Sequence, residues 1–254
     1  ASTFLPVALG PTSNRFSPNC LIEASAKSIP CDAMKPDQDF SYVPALGFHS
    51  LTPFYDAVVG ATTRERTFKT ELIAQANIGS GQTVLDLACG TGTLSIWAKQ
   101  AYPKAEVTGV DGDPAVLELA RRKALRSGLC MRFDQAMSDA LPYEESQFDR
   151  VLSSLFFHHL NMQDKLRTAS ECFRVLRPGG EFHVADWGKP SGSVMRTLFY
   201  CIQMLDGFPN TQDNVDGKLP DVFSKAGFEE VVQRNSFNTI FGTMVLYSAR
   251  KPAT

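Results

Sequence analysis

The chain reads as an α/β domain: a mostly parallel sheet with helices on both faces. Two features carry this reading. Val84-Leu85-Asp86-Leu87-Ala88-Cys89-Gly90-Thr91-Gly92 is a short apolar run that ends in an acid and passes directly into a glycine-rich turn. Leu94, Trp97 and Ala98 then fall at the spacing of one helix face. Strand, tight turn and helix in this order open a nucleotide-binding unit. Glycine lets the backbone approach a ligand closely, and the helix start offers unpaired N–H groups at a positive dipole end. The second feature is that the alternation of strand and helix repeats as far as residue 186. Such repetition favours right-handed crossovers and a crevice at the C-terminal ends of the strands.

The elements follow in order. Residues 1–45 are rich in Pro, Ser and Asn with little periodicity, so they are expected to form an arm or lid, leaving 46–254 as the functional domain. Phe54, Val58 and Val59, then Phe68, Leu72, Ile73 and Ala76, predict helices ahead of the sheet. Residues 83–88, 106–110, 129–135 and 148–154 predict the first four strands, with helices over 94–101 and 115–126. After the fourth strand, Leu166, Ala169, Phe173 and Leu176 share a helix face. The Arg177-Pro178-Gly179-Gly180 turn suits a type II geometry and leads into a fifth strand over 181–186. An insertion at about 191–214 carries Met195, Leu198, Phe199, Ile202 and Leu205 at helical spacing. A short helix over 219–226 stops at Gly227, and 231–234 with 240–249 form a closing hairpin.

Size and charge narrow the class. At 254 residues the chain fits one α/β domain with additions and buries a substantial core. Its net charge is −2 with acidic and basic residues interspersed, so no basic stripe offers itself to nucleic acid. No apolar run is long enough to span a bilayer, and residues 4–9 are too short and lack the basic lead of a signal peptide. Six scattered cysteines do not form a disulfide framework. A cytoplasmic protein acting on a small molecule is the expectation; the oligomeric state is not legible.

The second strand ends at Asp111, followed by Gly112, roughly twenty residues past the glycine turn, where such folds place an acid to hold ribose hydroxyls. A carboxylate accepts both hydroxyl protons and selects a ribose without a 2′-phosphate. Asp113, just before Pro114, is the better helix cap of the two acids. These residues select a nucleoside without choosing between a dinucleotide and S-adenosylmethionine (SAM). A G-x-G-x-x-G fingerprint lies over Gly90, Gly92 and Ser95, with serine in place of the third glycine.

The alternative register, Asp86-x-Ala88-x-Gly90-x-Gly92, resembles motif I of the class I SAM-dependent methyltransferases. The family usually has glycine where this chain has Ala88, a departure that a negative φ would tolerate. The later blocks Ala136-Met137-Ser138-Asp139-Ala140-Leu141-Pro142-Tyr143, Phe148-Asp149-Arg150-Val151, His158-His159-Leu160 and Arg174-Val175-Leu176-Arg177-Pro178-Gly179-Gly180 resemble those of the UbiE/COQ5-like members in order and spacing. The resemblance runs from about Tyr55 to the C-terminus. It implies a Rossmann-like seven-stranded sheet closed by an antiparallel last strand, SAM as cofactor, and methyl transfer to a small, aromatic or otherwise apolar acceptor. It also implies a cofactor site of Asp86, Ala88, Gly90, Gly92, Asp111 and Gly112. The family's adenine-binding acid aligns with Met137 rather than Asp139. Met137 would then lie on the adenine face, Ser138 would serve the exocyclic amine, and Asp139 would be a loop acid. Ser153 and Ser154 end the fourth strand and are expected at the methionine end of SAM.

A neutral acceptor must also lose a proton. His158 and His159 stand at the mouth of the crevice and titrate near neutrality in their ordinary state, so either is a candidate base. One of them packing into the loop is the competing role. Tyr55, in Phe54-Tyr55-Asp56, is an aromatic candidate over cofactor or acceptor. Arg64, Arg66 and Lys69 are candidate partners for the cofactor carboxylate, or part of a solvated helix face. His49 and His183 carry no ligand spacing, so no metal is expected. An NAD-dependent oxidoreductase and a non-catalytic SAM-binding protein are the competing functions.

Overall fold

The computed structural model describes residues 64–253. The arm at 1–45, the helix expected around Phe54 and the candidate Tyr55 lie outside the described residues. Helix α1 (Glu65–Ala76) precedes β1 (Thr83–Leu87), α2 (Thr93–Ala101), β2 (Glu106–Asp111), α3 (Pro114–Arg126), β3 (Arg132–Gln135) and β4 (Phe148–Ser154). A 3-10 turn (Phe157–His159) leads to α4 (Met162–Val175) and β5 (Leu176–Trp187). Helices α5 (Ser193–Asp206), α6 (Phe208–Val215) and α7 (Leu219–Lys225) follow, then β6 (Glu229–Asn238) and β7 (Thr243–Arg250). The seven strands lie in the order β3-β2-β1-β4-β5-β7-β6. β7 runs antiparallel to both neighbours, while β1 to β5 are parallel, as the resemblance implies.

Period-two alternation sorts each strand between two cores. Leu85, Leu87, Val151, Phe182, Val184 and Tyr247 face Cys172 and Val175 of α4 and Phe223 of α7. Val84, Leu152, Ala185 and Leu246 face Phe68 and Leu72 of α1, Leu94 of α2 and Phe199 of α5. Helix starts follow local chemistry. Asp113 accepts the Ala115 N–H at 2.8 Å with Pro114 inside the first turn, and Asn161 accepts the Asp164 N–H at 3.0 Å.

Four expectations need correction. The third strand starts at Arg132, not residue 129, because Gly128 turns at φ +70° and Leu129 N–H bonds back to Ala124. The buried face of α4 is Lys165, Thr168, Ala169, Cys172 and Val175, while Leu166 and Phe173 are only half-buried. Polar partners let Lys165 and Thr168 turn inward: Lys165 Nζ donates to the carbonyls of Leu160 and Asn210, and Thr168 shares a hydrogen bond with Ser138. β5 begins at Leu176, so the Pro178–Gly179 bend, with Gly179 at φ +76°, lies within the strand's span. Its N–H is held by the carbonyls of Lys251 and Pro252. The insertion is two helices, broken where Gly207 takes φ +88° ahead of Pro209.

Candidate active site

The loop between β1 and α2 is tied to the end of β2 by main-chain and carboxylate bonds. Cys89 N–H donates to the Val110 carbonyl at 2.9 Å, and Gly90 N–H donates to Asp111 Oδ2 at 2.8 Å. Asp111 Oδ1 accepts the Asp113 N–H at 3.0 Å, so this carboxylate braces both turns at once. Burial pushes its pKa up, against the pull of these N–H donors. Gly90 lies at φ +53° with open space where a Cβ would stand. Gly92, at φ +75°, is packed: a Cβ there would sit 2.9 Å from that of Ala120. The two glycines therefore serve different ends, one leaving room above the turn and the other closing α2 onto α3.

Ala88 departs from its expectation. Its φ is +53°, in the left-handed region, where a Cβ costs roughly 1–2 kcal/mol. The turn thus keeps the backbone that glycine would adopt, and alanine bears strain there. Asp86 is 1% exposed and accepts the Ser95 hydroxyl at 2.5 Å. Burial pushes it up to about 6, partly opposed by Ser95 and by Lys69. Lys69 itself is ion-paired with Glu65 at 2.6 Å, and Arg64 lies over the ring of Phe237. Those cations are engaged within the protein.

Beyond β2, the Ala136 N–H bonds the Asp111 carbonyl at 3.1 Å and brings Met137 over Gly112. A Cβ on Gly112 would lie 3.0 Å from the Met137 sulfur. Met137 stays 38% exposed, an apolar surface beside the ribose candidate Asp111. Ser138 Oγ shares a 2.9 Å hydrogen bond with Thr168, and Asp139 lies 3.5 Å from Arg167. The main chain of Ser138 is then better placed than its hydroxyl to meet a ligand.

The two serines ending β4 part company. Ser153 is fully buried, level with Leu87 and Val184 in the sheet register, and its hydroxyl has no hydrogen-bond partner among the described residues. Ser154 is half-buried on the opposite face, the face of Asp86. Of the two serines expected at the cofactor, only Ser154 is partly exposed.

The histidines also separate. His158 is buried, with Nδ1 2.7 Å from Asp186 Oδ1 and Nε2 3.6 Å from Asp206. Burial would depress its pKa, but Asp186 outweighs burial and raises it. His159 packs against His158 at a tilt, centroids 4.0 Å apart, and burial followed by that neighbour holds it down at about 3. Of the two histidines, His159 is the one that burial makes the weaker base.

Asp186, at the end of β5, is the residue the sequence reading missed. It is fully buried and accepts the N–H groups of Phe156, Phe157 and Trp187 at 2.7–3.0 Å, besides its contact with His158. Its burial raises its pKa, but His158 and these donors prevail and lower it. A signal was available: Asp186 falls within the last two residues of its strand, as Asp86 and Asp111 do in theirs. Asp206 had no such signal, because its position at the end of α5 depends on the fold of the insertion. A separate groove lined by Arg66, Ile73, Trp97 and Tyr102 lies along α1 and the C-terminal half of α2. It is remote from the strand ends.

A glycine-turned β1–α2 loop braced by the β2 acid, at the C-terminal edge of a sheet of order 3-2-1-4-5-7-6, defines a nucleoside-binding α/β protein. A methyltransferase-domain family model matches residues 84–180. The demethylmenaquinone methyltransferase of Thermus thermophilus is 36% identical over 161 residues, covering 60% of this chain and 71% of that protein. The ubiquinone/menaquinone biosynthesis C-methyltransferase UbiE of Shewanella sediminis is 32% identical over 216 residues, 74% and 83% of the two chains. The chain spans 63% of the length of a Deinococcus radiodurans demethylmenaquinone methyltransferase, at 33% identity over 154 residues that make up 60% of this chain. Among solved structures, a SAM-dependent methyltransferase from Aquifex aeolicus superposes with a TM-score of 0.56 at 18% identity, over 72% of this chain and 88% of that one. A Haemonchus contortus N-methyltransferase, solved with S-adenosylhomocysteine, gives 0.61 at 16% identity, over 73% and 52%. The chain belongs to the SAM-dependent methyltransferases of the UbiE type.

Proposed function

We propose that the protein transfers the methyl group of SAM to a small, aromatic or otherwise apolar acceptor. The observation that carries this is the open φ +53° turn at Gly90 beside the Asp111 carboxylate, in a chain of this family. In this reading the loop from Asp86 to Gly92 holds the methionine and ribose parts. Asp111 and Gly112 take the ribose hydroxyls, Met137 and the Ser138 main chain flank the adenine, and Ser154 stands at the methionine end. The relatives' names favour a carbon acceptor on a quinol-like ring.

The sulfonium is already activated, so the protein must align the acceptor atom in line behind the methyl, about 3–3.5 Å away, and exclude water. His158, its ring fixed by Asp186, stands on the acceptor side of the crevice mouth. Tyr55 is a further candidate on the acceptor side. Cytoplasmic action is part of the proposal; no helix among the described residues is long and apolar enough to cross a membrane. A panel of phenols, quinols, thiols and amines, read by S-adenosylhomocysteine release, tests it. Turnover on a quinol or phenol supports the reading; SAM binding without turnover on any member favours a SAM-binding protein instead.

A further inference from the structure

The two histidines after β4 and the last residue of α5 converge on one point. His158 Nε2 lies 3.6 Å from Asp206 Oδ2, His159 Nδ1 lies 3.6 Å from Asp206 Oδ1, and one ligand atom from each residue lies within 4.8 Å of the others. At 3.6 Å these are too long for hydrogen bonds. His159 Nδ1 is buried with no hydrogen-bond partner among the described residues. With His158 Nδ1 committed to Asp186, its Nε2 presents a lone pair toward a carboxylate oxygen unless a proton or cation lies between them. A metal bound at 2.0–2.1 Å holds tetrahedral ligands about 3.3–3.5 Å apart, so a set spread within 4.8 Å would draw in by up to about 1.5 Å to close on an ion.

We propose that His158 Nε2, His159 Nδ1 and a carboxylate oxygen of Asp206 bind one divalent transition-metal ion. Two imidazoles and one carboxylate suit zinc, iron(II) or cobalt(II) and are a poor set for magnesium or calcium, which demand oxygen. The surroundings match such a centre. Asp186 accepts from the distal nitrogen of His158 and is itself fixed by three peptide N–H groups, the outer-shell arrangement that sets the tautomer and aim of a metal-binding imidazole. Three protein ligands leave a coordination position open. The site was invisible in the sequence because its third ligand comes from the insertion.

The test uses the full chain, stripped with a chelator and titrated with Co2+, with visible d–d absorption as the readout and Zn2+ as competitor. One Co2+ per chain, displaced by Zn2+, is expected. Asp206→Asn, which keeps shape while weakening the donor, and His159→Gln should each lower Co2+ affinity at least tenfold. His183→Gln, at a buried histidine 3.2 Å from Glu181 elsewhere in the sheet, should leave the affinity unchanged. Absence of a stoichiometric band in the wild type, or equal binding in both ligand variants, overturns the proposal. Calorimetry with SAM on the same samples separates this failure from failure of the cofactor reading.

Discussion

Asp111 accepts the main-chain N–H of Gly90 at 2.8 Å, joining the end of one strand to the turn after its neighbour. The same carboxylate that is proposed to grip ribose therefore shapes the loop that frames it. Asp111→Ala should weaken SAM binding by about 1–3 kcal/mol and also lower the melting temperature. Asp111→Asn should recover part of the stability but less of the affinity, since the amide puts a donor where a carboxylate accepted. Calorimetry and thermal melts on both variants read the two effects separately, and wild-type affinity in Asp111→Ala would remove the ribose from this site.

Gly90 and Gly92 predict opposite outcomes for a similar change. Gly90→Val meets open space and should leave the domain folded, at a strain cost of roughly 1–2 kcal/mol, while blocking cofactor binding. Gly92→Ala drives a methyl to 2.9 Å from Ala120 and 3.1 Å from Phe133, so it should lose stability first, by a further ~1–3 kcal/mol. Circular dichroism melts beside SAM titrations distinguish them. A Gly90→Val protein that binds SAM normally would place the ligand elsewhere.

Asp86 gives a pH signature. Burial raises it to about 6, so between pH 4 and 6 the folded state holds a proton that the unfolded state has lost. Its contribution to stability therefore falls as pH rises through that window. Asp86→Asn should be more stable than wild type at pH 7 by roughly 2–3 kcal/mol, with the difference vanishing near pH 4. Chemical denaturation across that range checks this; a variant less stable at pH 7 would contradict it.

Asp186 is the buried charge with the most to lose. Asp186→Ala strips acceptors from the peptide N–H groups of Phe156, Phe157 and Trp187 and from His158 at once. A loss of about 3–5 kcal/mol is expected, the usual cost of breaking a buried ion pair from one side. Urea unfolding measures it, and a loss under 1 kcal/mol would mean that water replaces the carboxylate freely.

The parts legible in the sequence are those encoded locally. Asp86-x-Ala88-x-Gly90-x-Gly92 set strand, turn and helix within one short window, and Pro114 with Asp113 announced α3. Strand order beyond β1 and β2 came through the family resemblance, not through periodicity. Tertiary placement stayed hidden. The inward turn of Lys165 depends on carbonyls of Leu160 and Asn210, the latter 45 residues away. The left-handed φ of Ala88 reflects a loop held at Val110 and Asp111, which overrides alanine's own preference. Ser153 and Ser154 are adjacent and chemically identical, and only the pleat separates one from the other. Asp206 reached His158 and His159 through two helices whose break at Gly207 was not anticipated.

Titration of SAM into the full wild-type chain by calorimetry, beside NADH in a parallel run, tests the central claim most directly. One SAM per chain, with no heat from NADH, is the result expected of a methyltransferase cradle at Gly90 and Asp111. Saturable NADH binding with none for SAM would contradict it.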